Sequence, residues 1–425
     1  MRLTLLILTQ TLYCFLLFAQ HKCYPIYAES KFLYHLSQKD SMPFLSQALA
    51  NSGSYMNAII ENDKDFDNNG FTVDSCSNIY FKKAVNVIAD LFKNNDIVVI
   101  NEAHDYPANR FILAQILDTL KTLGIKDIFL EAGAYDDSIS LRGFPIQSSG
   151  IYFREPIFSN TIRLFLENGI NLHSYEKTKG EYTVLTKNGA KFFKDKFSDF
   201  SLEIKDTALI GFYNSKSARN SQREVIQALN IVKKMQENNV TKALIYCGYT
   251  HAYKGKDKMA NCLIKLNKKV VSIDQTFLHE HSKSVFEHSA FVSYRDTLNS
   301  GIAFCHYTTP IKIKNHPEII DFVMITPRLQ YMNNRPTVLD RIGKKIRLNC
   351  IDILSEIMDS TDCLVMVYYS NEYEQYQEMA IPCDIFEIDN LHKRYDFILE
   401  PNKKFIVTVQ KWNRIFYTKK FITNG

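Results

Sequence analysis

Two short motifs carry the most legible chemistry in this chain. Asn101-Glu102-Ala103-His104 follows the apolar run 97–100, and Gly248-Tyr249-Thr250-His251 follows the apolar run 243–247. Both runs have the length and composition of short buried strands. Open α/β sheets place their ligand sites at the carboxyl ends of their strands. Two imidazoles delivered there, one with a carboxylate two residues before it, can work on water, with His104 or Glu102 as general base. Glu131 ends the apolar run 127–130, and Glu176 follows the run 171–175. Arg223, Glu224 and Gln227 open a helical pattern over 221–236. The first turn of that helix is expected to aim its dipole at the same edge, and Arg223 to stabilise an oxyanion. His104, His251 and Glu102 are also candidate ligands for a divalent metal (zinc, manganese or cobalt) that would acidify a bound water. Plainer readings exist for each residue. A histidine after a strand is commonly structural, Glu131 and Glu176 could cap the helices that follow, and Arg223 with Glu224 could be a surface pair. Taken together those readings need several independent coincidences at one edge, so the functional reading is preferred.

The elements that must position these residues alternate. The spacing predicts a helix over 80–92, a strand over 96–100, a helix over 109–123 stopped by Gly124, and a strand over 127–130. A helix over 161–168 and a strand over 171–175 come next. Helix 221–236, strand 242–247, helix 256–266 and strand 269–273 complete the series. Short connections between alternating strands and helices predict an α/β fold: a mostly parallel, helix-covered sheet. Beyond about residue 293 the rhythm changes to short β-like runs (362–369, 385–388, 395–399, 405–409, 414–417) with no helical segment between them. The expected organisation is a signal segment at 1–19, an N-terminal extension at 20–79, the α/β domain at 80–292, a connecting segment at 293–349 and a small C-terminal β domain at 350–425.

The stretch Val-Val-Ile-Asn-Glu-Ala-His, followed by Phe-Leu-Glu-Ala-Gly at 129–133, resembles the core of the superfamily that joins erythromycin esterases, ChaN-type haem-binding lipoproteins and TIKI/TraB proteins. Gly248–His251 matches that superfamily's late Gly-x-x-His motif, Tyr175-Glu176 resembles its Tyr-Glu element, and Arg223-Glu224 its Arg-Glu helix. The resemblance spans roughly residues 80–276, and Asn101 stands where the superfamily has glycine. An asparagine there is expected to narrow the site. The resemblance implies an ester or peptide hydrolase, metal-dependent in the TIKI-like branch, or a haem carrier in the ChaN-like branch. The spacing Glu102-x-His104 is closer to the ChaN form than to the esterase form.

Composition narrows the alternatives. The 425 residues carry 51 Lys and Arg against 46 Asp and Glu, a net charge of +5 with no dense basic block. The run at 191–196 reads as a solvated face, and nucleic acid is not an expected partner. Arg2, the apolar stretch 3–19 and polar Gln20-His21-Lys22 have the form of an export signal with Ala19 at its exit, an uncleaved anchor being the alternative. Export from a bacterial cell to the periplasm or beyond is therefore expected, with membrane contact only through that segment. The nine cysteines include no Cys-x-x-Cys pair, and spacing assigns no disulfide. Asp65-Phe66-Asp67-Asn68-Asn69-Gly70 resembles half a calcium loop, but the twelfth position is Cys76, so calcium is not expected. His279-Glu280-His281 and Glu287-His288 form the densest histidine cluster, a second source of ligands if it reaches the same edge. Gly-x-Ser-x-Gly, Walker and Rossmann patterns are absent from the sequence, which disfavours serine hydrolases of the usual α/β type and nucleotide enzymes. The leading expectation is an exported hydrolase acting on a small molecule or peptide through Glu102, His104, Glu131, Glu176, Arg223, Glu224 and His251. A non-catalytic haem or iron binder and an inactive scaffold are the alternatives.

Overall fold

The computed structural model describes residues 25–424 except 41, 43, 66–79, 132–137, 177–203, 206–208, 211–215, 256–257, 289–290, 293–302, 313–318, 327, 358–361 and 391. The segment expected as an export signal, the run at 191–196 and nearly all of the calcium-like segment lie outside the described residues. No helix among the described residues is long and apolar enough to cross a membrane.

Three helices come first: α1 (Ser30–Asp40), α2 (Leu45–Asn51) and α3 (Tyr55–Asn62). The main sheet is built from β1 (Tyr80–Lys83), β2 (Ile97–Glu102), β3 (Asp127–Leu130), β4 (Asn171–Ser174), β5 (Ala243–Gly248), β6 (Val270–Leu278), β7 (Ala303–Lys312) and β8 (Ile319–Ile325). Its spatial order is β1-β7-β8-β6-β2-β5-β3-β4. The six strands from β8 to β4 run parallel, and β7 is antiparallel to both of its neighbours. The fold is thus the expected α/β type with a mostly parallel sheet.

Helices α4 (Ala84–Asn94), α5 (Pro107–Gln115), α6 (Leu117–Thr122), α7 (Pro156–Glu167), α8 (Lys216–Glu237) and α9 (Met259–Lys265) accompany the sheet. Strand alternation explains why all six residues of β2 and of β5 are buried. Val98, Ile100, Leu244 and Tyr246 enter one core with α4 to α7, including Phe92, Ile112 and Phe158. Ile97, Val99, Ala243 and Ile245 enter the other with Val225, Ile231 and Met235 of α8 and Met259 and Leu263 of α9. The two layers hold the central strands from both faces, which leaves their carboxyl ends as the open edge.

The sheet departs from expectation in its outer strands. The segment 293–349, expected as a connector, supplies β7 and β8 to the main sheet. The helix expected from residue 80 starts only at Ala84, because Tyr80–Lys83 pair with Ala303–His306 of β7. The helix expected over 109–123 is two, α5 and α6, joined at Ile116.

The C-terminal sheet has the order β11-β10-β13-β14, formed by β10 (Cys363–Tyr369), β11 (Asp384–Ile388), β13 (Lys404–Lys411) and β14 (Arg414–Ile422). A separate pair joins β9 (Ile346–Asn349) to β12 (Asp396–Leu399). All contacts in both are antiparallel, giving the expected small β domain. Short helices, Ile351–Leu354 and α10 (Ser370–Tyr376), do interrupt these strands, contrary to expectation. The N-terminal helices pack across both units: Leu33, Leu49 and Tyr55 share a cluster with Phe111, Ile157 and Ile398. Cys247, Cys262, Cys350, Cys363 and Cys383 are buried and in no disulfide.

Candidate functional site

Register brings the motifs together. Glu102 at the end of β2 pairs with Gly248 at the end of β5, and Leu130 of β3 pairs with Tyr246 of β5 and Ser174 of β4. Glu131, Glu176 and His251 therefore leave the sheet within one to three residues of the same level. The seven residues singled out in the sequence converge on this edge.

Two histidines are buttressed in the same way. His104 Nδ1 lies 2.8 Å from Glu102 Oε1, and His251 Nδ1 lies 2.8 Å from Glu224 Oε2. Each glutamate fixes its ring from behind and leaves Nε2 facing the site. Glu131 stands between the two. Its Oε1 is 3.5 Å from His251 Nε2, and its Oε2 accepts from the Gly248 backbone N–H at 2.6 Å. His104 is pressed against that same glycine: a Cβ at position 248 would lie 2.5 Å from His104 Nε2 and 3.2 Å from Glu131 Oε2. Only glycine allows so close an approach of ring to backbone. Tyr152 covers the other side of His104, stacked at 3.6 Å between ring centroids, and Tyr249 meets its edge at 5.6 Å.

Arg223 ties the set together at the mouth. It donates to Glu131 Oε1 at 2.6 Å and to both oxygens of Glu176, and Gln227 Nε2 adds a bond to Glu176 at 2.9 Å. Glu131 and Glu176 are thus ligands of a guanidinium. Helix α8 begins at Lys216, so Arg223 and Glu224 sit about two turns inside it. They act through their side chains; the dipole expected from a first turn plays no part.

Electrostatics follow from the count of charges. Glu102, Glu131, Glu155, Glu176 and Glu224 face Arg110 and Arg223. Among these described residues, five carboxylates against two guanidiniums leave three negative charges before either ring takes a proton. Burial works against a charged His251, but Glu131 and Glu224 outweigh it and raise its pKa to about 10. Arg223 Nη1 lies 3.2 Å from His251 Nε2, a hydrogen bond only to a neutral ring. The surplus of carboxylates decides in favour of the protonated ring, with Glu131 shared between the two cations. Burial likewise resists the charge on Glu131, yet His251, His104 and Arg223 hold its carboxyl well below the usual range.

Sequence reasoning passed over a second tier. Arg110 on α5, 1% exposed, donates to Glu102 Oε2 at 3.0 Å and to Glu155 Oε2 at 2.7 Å. Glu155 caps α7 by accepting from Ile157 N and Phe158 N at 2.7 and 2.8 Å, and it also accepts from the Tyr55 hydroxyl of α3. Burial opposes the charge on Glu102, but Arg110 and His104 lower its pKa. The signals were available for two of these: an arginine on the apolar face of a helix, and Glu-Pro at a helix start. Tyr55 had none.

The denser histidine cluster is bonded to other partners. His281 Nδ1 contacts Asp63 Oδ1 at 2.7 Å, the Tyr106 hydroxyl donates to the same carboxylate at 3.0 Å, and the His279 ring lies 4.2 Å from that of Tyr106. It fastens the N-terminal helices to the loop after β6.

The donor set fits neither proposed cofactor well. Among the described residues no group of three or more His, Cys, Asp or Glu is arranged to hold a metal ion. Glu102 is committed to His104 and Arg110, and each Nδ1 to its glutamate. A porphyrin needs apolar walls, whereas among the described residues carboxylates and a guanidinium surround His251, and two tyrosines and a carboxylate surround His104.

No family model and no curated protein matches the chain. Three solved structures are similar at low level. The type III effector HopBA1 has 11% identity and a TM-score of 0.29, covering 47% of this chain and 87% of its own. ChaN of Campylobacter jejuni, described as binding haem cofacially, has 12% identity and a TM-score of 0.29, covering 60% and 100%. A Bacillus cereus protein has 12% identity and a TM-score of 0.27, covering 72% and 90%.

Proposed function

We propose that this chain is an exported hydrolase of ester or peptide bonds, related to the erythromycin esterase, ChaN and TIKI superfamily that its motifs resemble. One observation carries the reading: two Glu-His pairs lie beside one shared carboxylate, with an arginine at the mouth. With Nδ1–H donated to Glu102, His104 offers the Nε2 lone pair as a base for water. The water oxygen adds to the substrate carbonyl carbon as its proton passes to His104. The carbonyl π pair moves to oxygen, where Arg223 and protonated His251 meet the negative charge. Collapse breaks the bond to the leaving alkoxide or amine, which takes the proton back from His104. Glu131 stabilises the imidazolium that forms between these steps. No step requires a metal. The apolar segment 3–19 behind Arg2 supports export.

The test is turnover of an ester and peptide panel by the purified chain and by His104→Ala, beside visible absorbance and metal analysis. Hydrolysis lost in the variant supports the reading. A Soret band that disappears with His104 would replace it with haem binding, and stoichiometric zinc, manganese or cobalt would replace it with a metal-dependent reaction.

A further inference from the structure

Asn101 stands where the resembled motif opens with glycine, and it does not narrow the site. Strand alternation puts it on the opposite face of β2 from Glu102, fully buried. Its amide Nδ2 donates to the Tyr249 carbonyl at 2.7 Å and to Asp274 Oδ2 at 3.1 Å. Its Oδ1 accepts from Gln275 N at 2.8 Å, and its backbone carbonyl accepts from Gln275 Nε2 at 2.6 Å. Asp274 Oδ1 in turn accepts from Thr276 N and Phe277 N at 2.6 and 2.9 Å. One amide therefore joins the ends of β2 and β6 to the turn that follows β5.

That turn needs a clamp. Tyr249 has φ +33°, a left-handed backbone that tyrosine seldom adopts. From it the chain enters the short 3-10 turn Tyr249–Ala252, whose third residue is His251. The Tyr249 carbonyl is the last atom fixed to a strand end before that ring, and a glycine at 101 would have no side chain to reach it.

We infer that Asn101 is a positioning residue that couples the two histidine motifs, holding the 249 turn so that His251 sits between Glu131 and Glu224. The catalytic consequence rests on the proposed hydrolysis; the placement of the ring does not.

The experiment follows the downfield ring N–H signal of His251 by NMR, assigned with His251→Gln, in two variants. Asn101→Ala removes every side-chain bond. The double variant Asn101→Asp with Asp274→Asn rebuilds the contact between positions 101 and 274, and still accepts from Gln275 N, but offers the Tyr249 carbonyl no donor. Loss of the His251 signal in both, with the His104 ring signal kept and thermal stability recovered in the double variant, is the expected result. A purely structural role would return the His251 signal along with stability in the double variant, which overturns the inference. Should Asn101→Ala fail to fold, the double variant alone decides. If the NMR result holds while no ester or peptide is turned over, the hydrolase reading fails and the positioning role stands.

Discussion

Replacing Arg110 with methionine removes one guanidinium from between two buried carboxylates. Glu102 and Glu155 are 2% and 1% exposed, and both lean on Arg110 through bonds of 3.0 and 2.7 Å. Deleting one partner of a buried ion pair typically costs about 3–5 kcal/mol, because the remaining charge is left without compensation. Glu155 keeps its two backbone donors and the Tyr55 hydroxyl, and Glu102 keeps His104, so neither is wholly orphaned. Methionine also retains packing over the Phe158 ring, which the guanidinium carbon faces at 4.8 Å from its centroid. A loss of about 4 kcal/mol at pH 7 is expected from these terms. Its pH dependence is more diagnostic than its size. In the native chain Glu102 has a lowered pKa, so its stabilising contribution is full above the unfolded value near 4.5 and fades as pH falls through the folded one. Without Arg110, burial dominates and raises the pKa of Glu102, so the variant gains stability as pH drops from 7 toward 5. The gap between the two proteins must therefore narrow on acidification. Urea unfolding at both pH values measures it, followed by far-ultraviolet circular dichroism. The single tryptophan, Trp412, is 57% exposed in the hairpin between β13 and β14 and reports the other domain. A loss below about 1 kcal/mol, the scale of an ordinary substitution, or a gap that widens toward pH 5, would refute the electrostatic account.

Three further outcomes follow from the same geometry. The His251 ring should titrate near pH 10 in a ¹³C-histidine NMR series, and a midpoint below 7 would mean that Glu131 and Glu224 do not hold its proton. Because that pKa is raised, the stability it contributes is full below the ordinary 6.5 and is lost as pH rises through about 10, visible as a difference in melting temperature between the native chain and His251→Gln. Gly248→Ala places a methyl 2.5 Å from His104 Nε2, against a ring pinned by Glu102 and Tyr152, and should cost about 1–3 kcal/mol together with most of the turnover. An active, equally stable alanine variant would show that the ring can move aside.

The parts of this fold that could be read in the sequence are those where local pattern and tertiary role coincide. Parallel strands buried on both faces are short continuous apolar runs, so β2, β3 and β5 announced themselves, and so did the polar residues that end them. Elements whose identity depends on a distant partner did not. Tyr80–Lys83 continues the amphipathic spacing of α4 and becomes a strand only because residues 303–306 lie beside it. The missed helix α10, Ser-Asn-Glu-Tyr-Glu-Gln-Tyr, is short and largely polar, so no apolar period marked it. The start of α8 was set too late for a related reason: residues 216–222 offer no apolar stripe, and periodicity becomes visible only from Val225 onward.

The same distinction divides the site. Seven residues were found because each follows a strand or stands on a periodic helix, where a polar side chain is conspicuous. Arg110 and Glu155 carry local marks of burial and of a helix start, and Tyr55 carries none, but what defines all three is mutual compensation across three helices, and a single residue carries no mark of its partner. Burial is what gives that compensation its force: outside water, each carboxylate constrains the next group far more than it would at the surface. Glu155 holds Arg110, Arg110 holds Glu102, and Glu102 sets which nitrogen of His104 is free. The geometry of the proposed site is thus tied to α3, a helix of the N-terminal extension, through the Tyr55 hydroxyl on Glu155. A segment that the sequence offered only as an extension is, by this chain of contacts, part of what orients the proposed base.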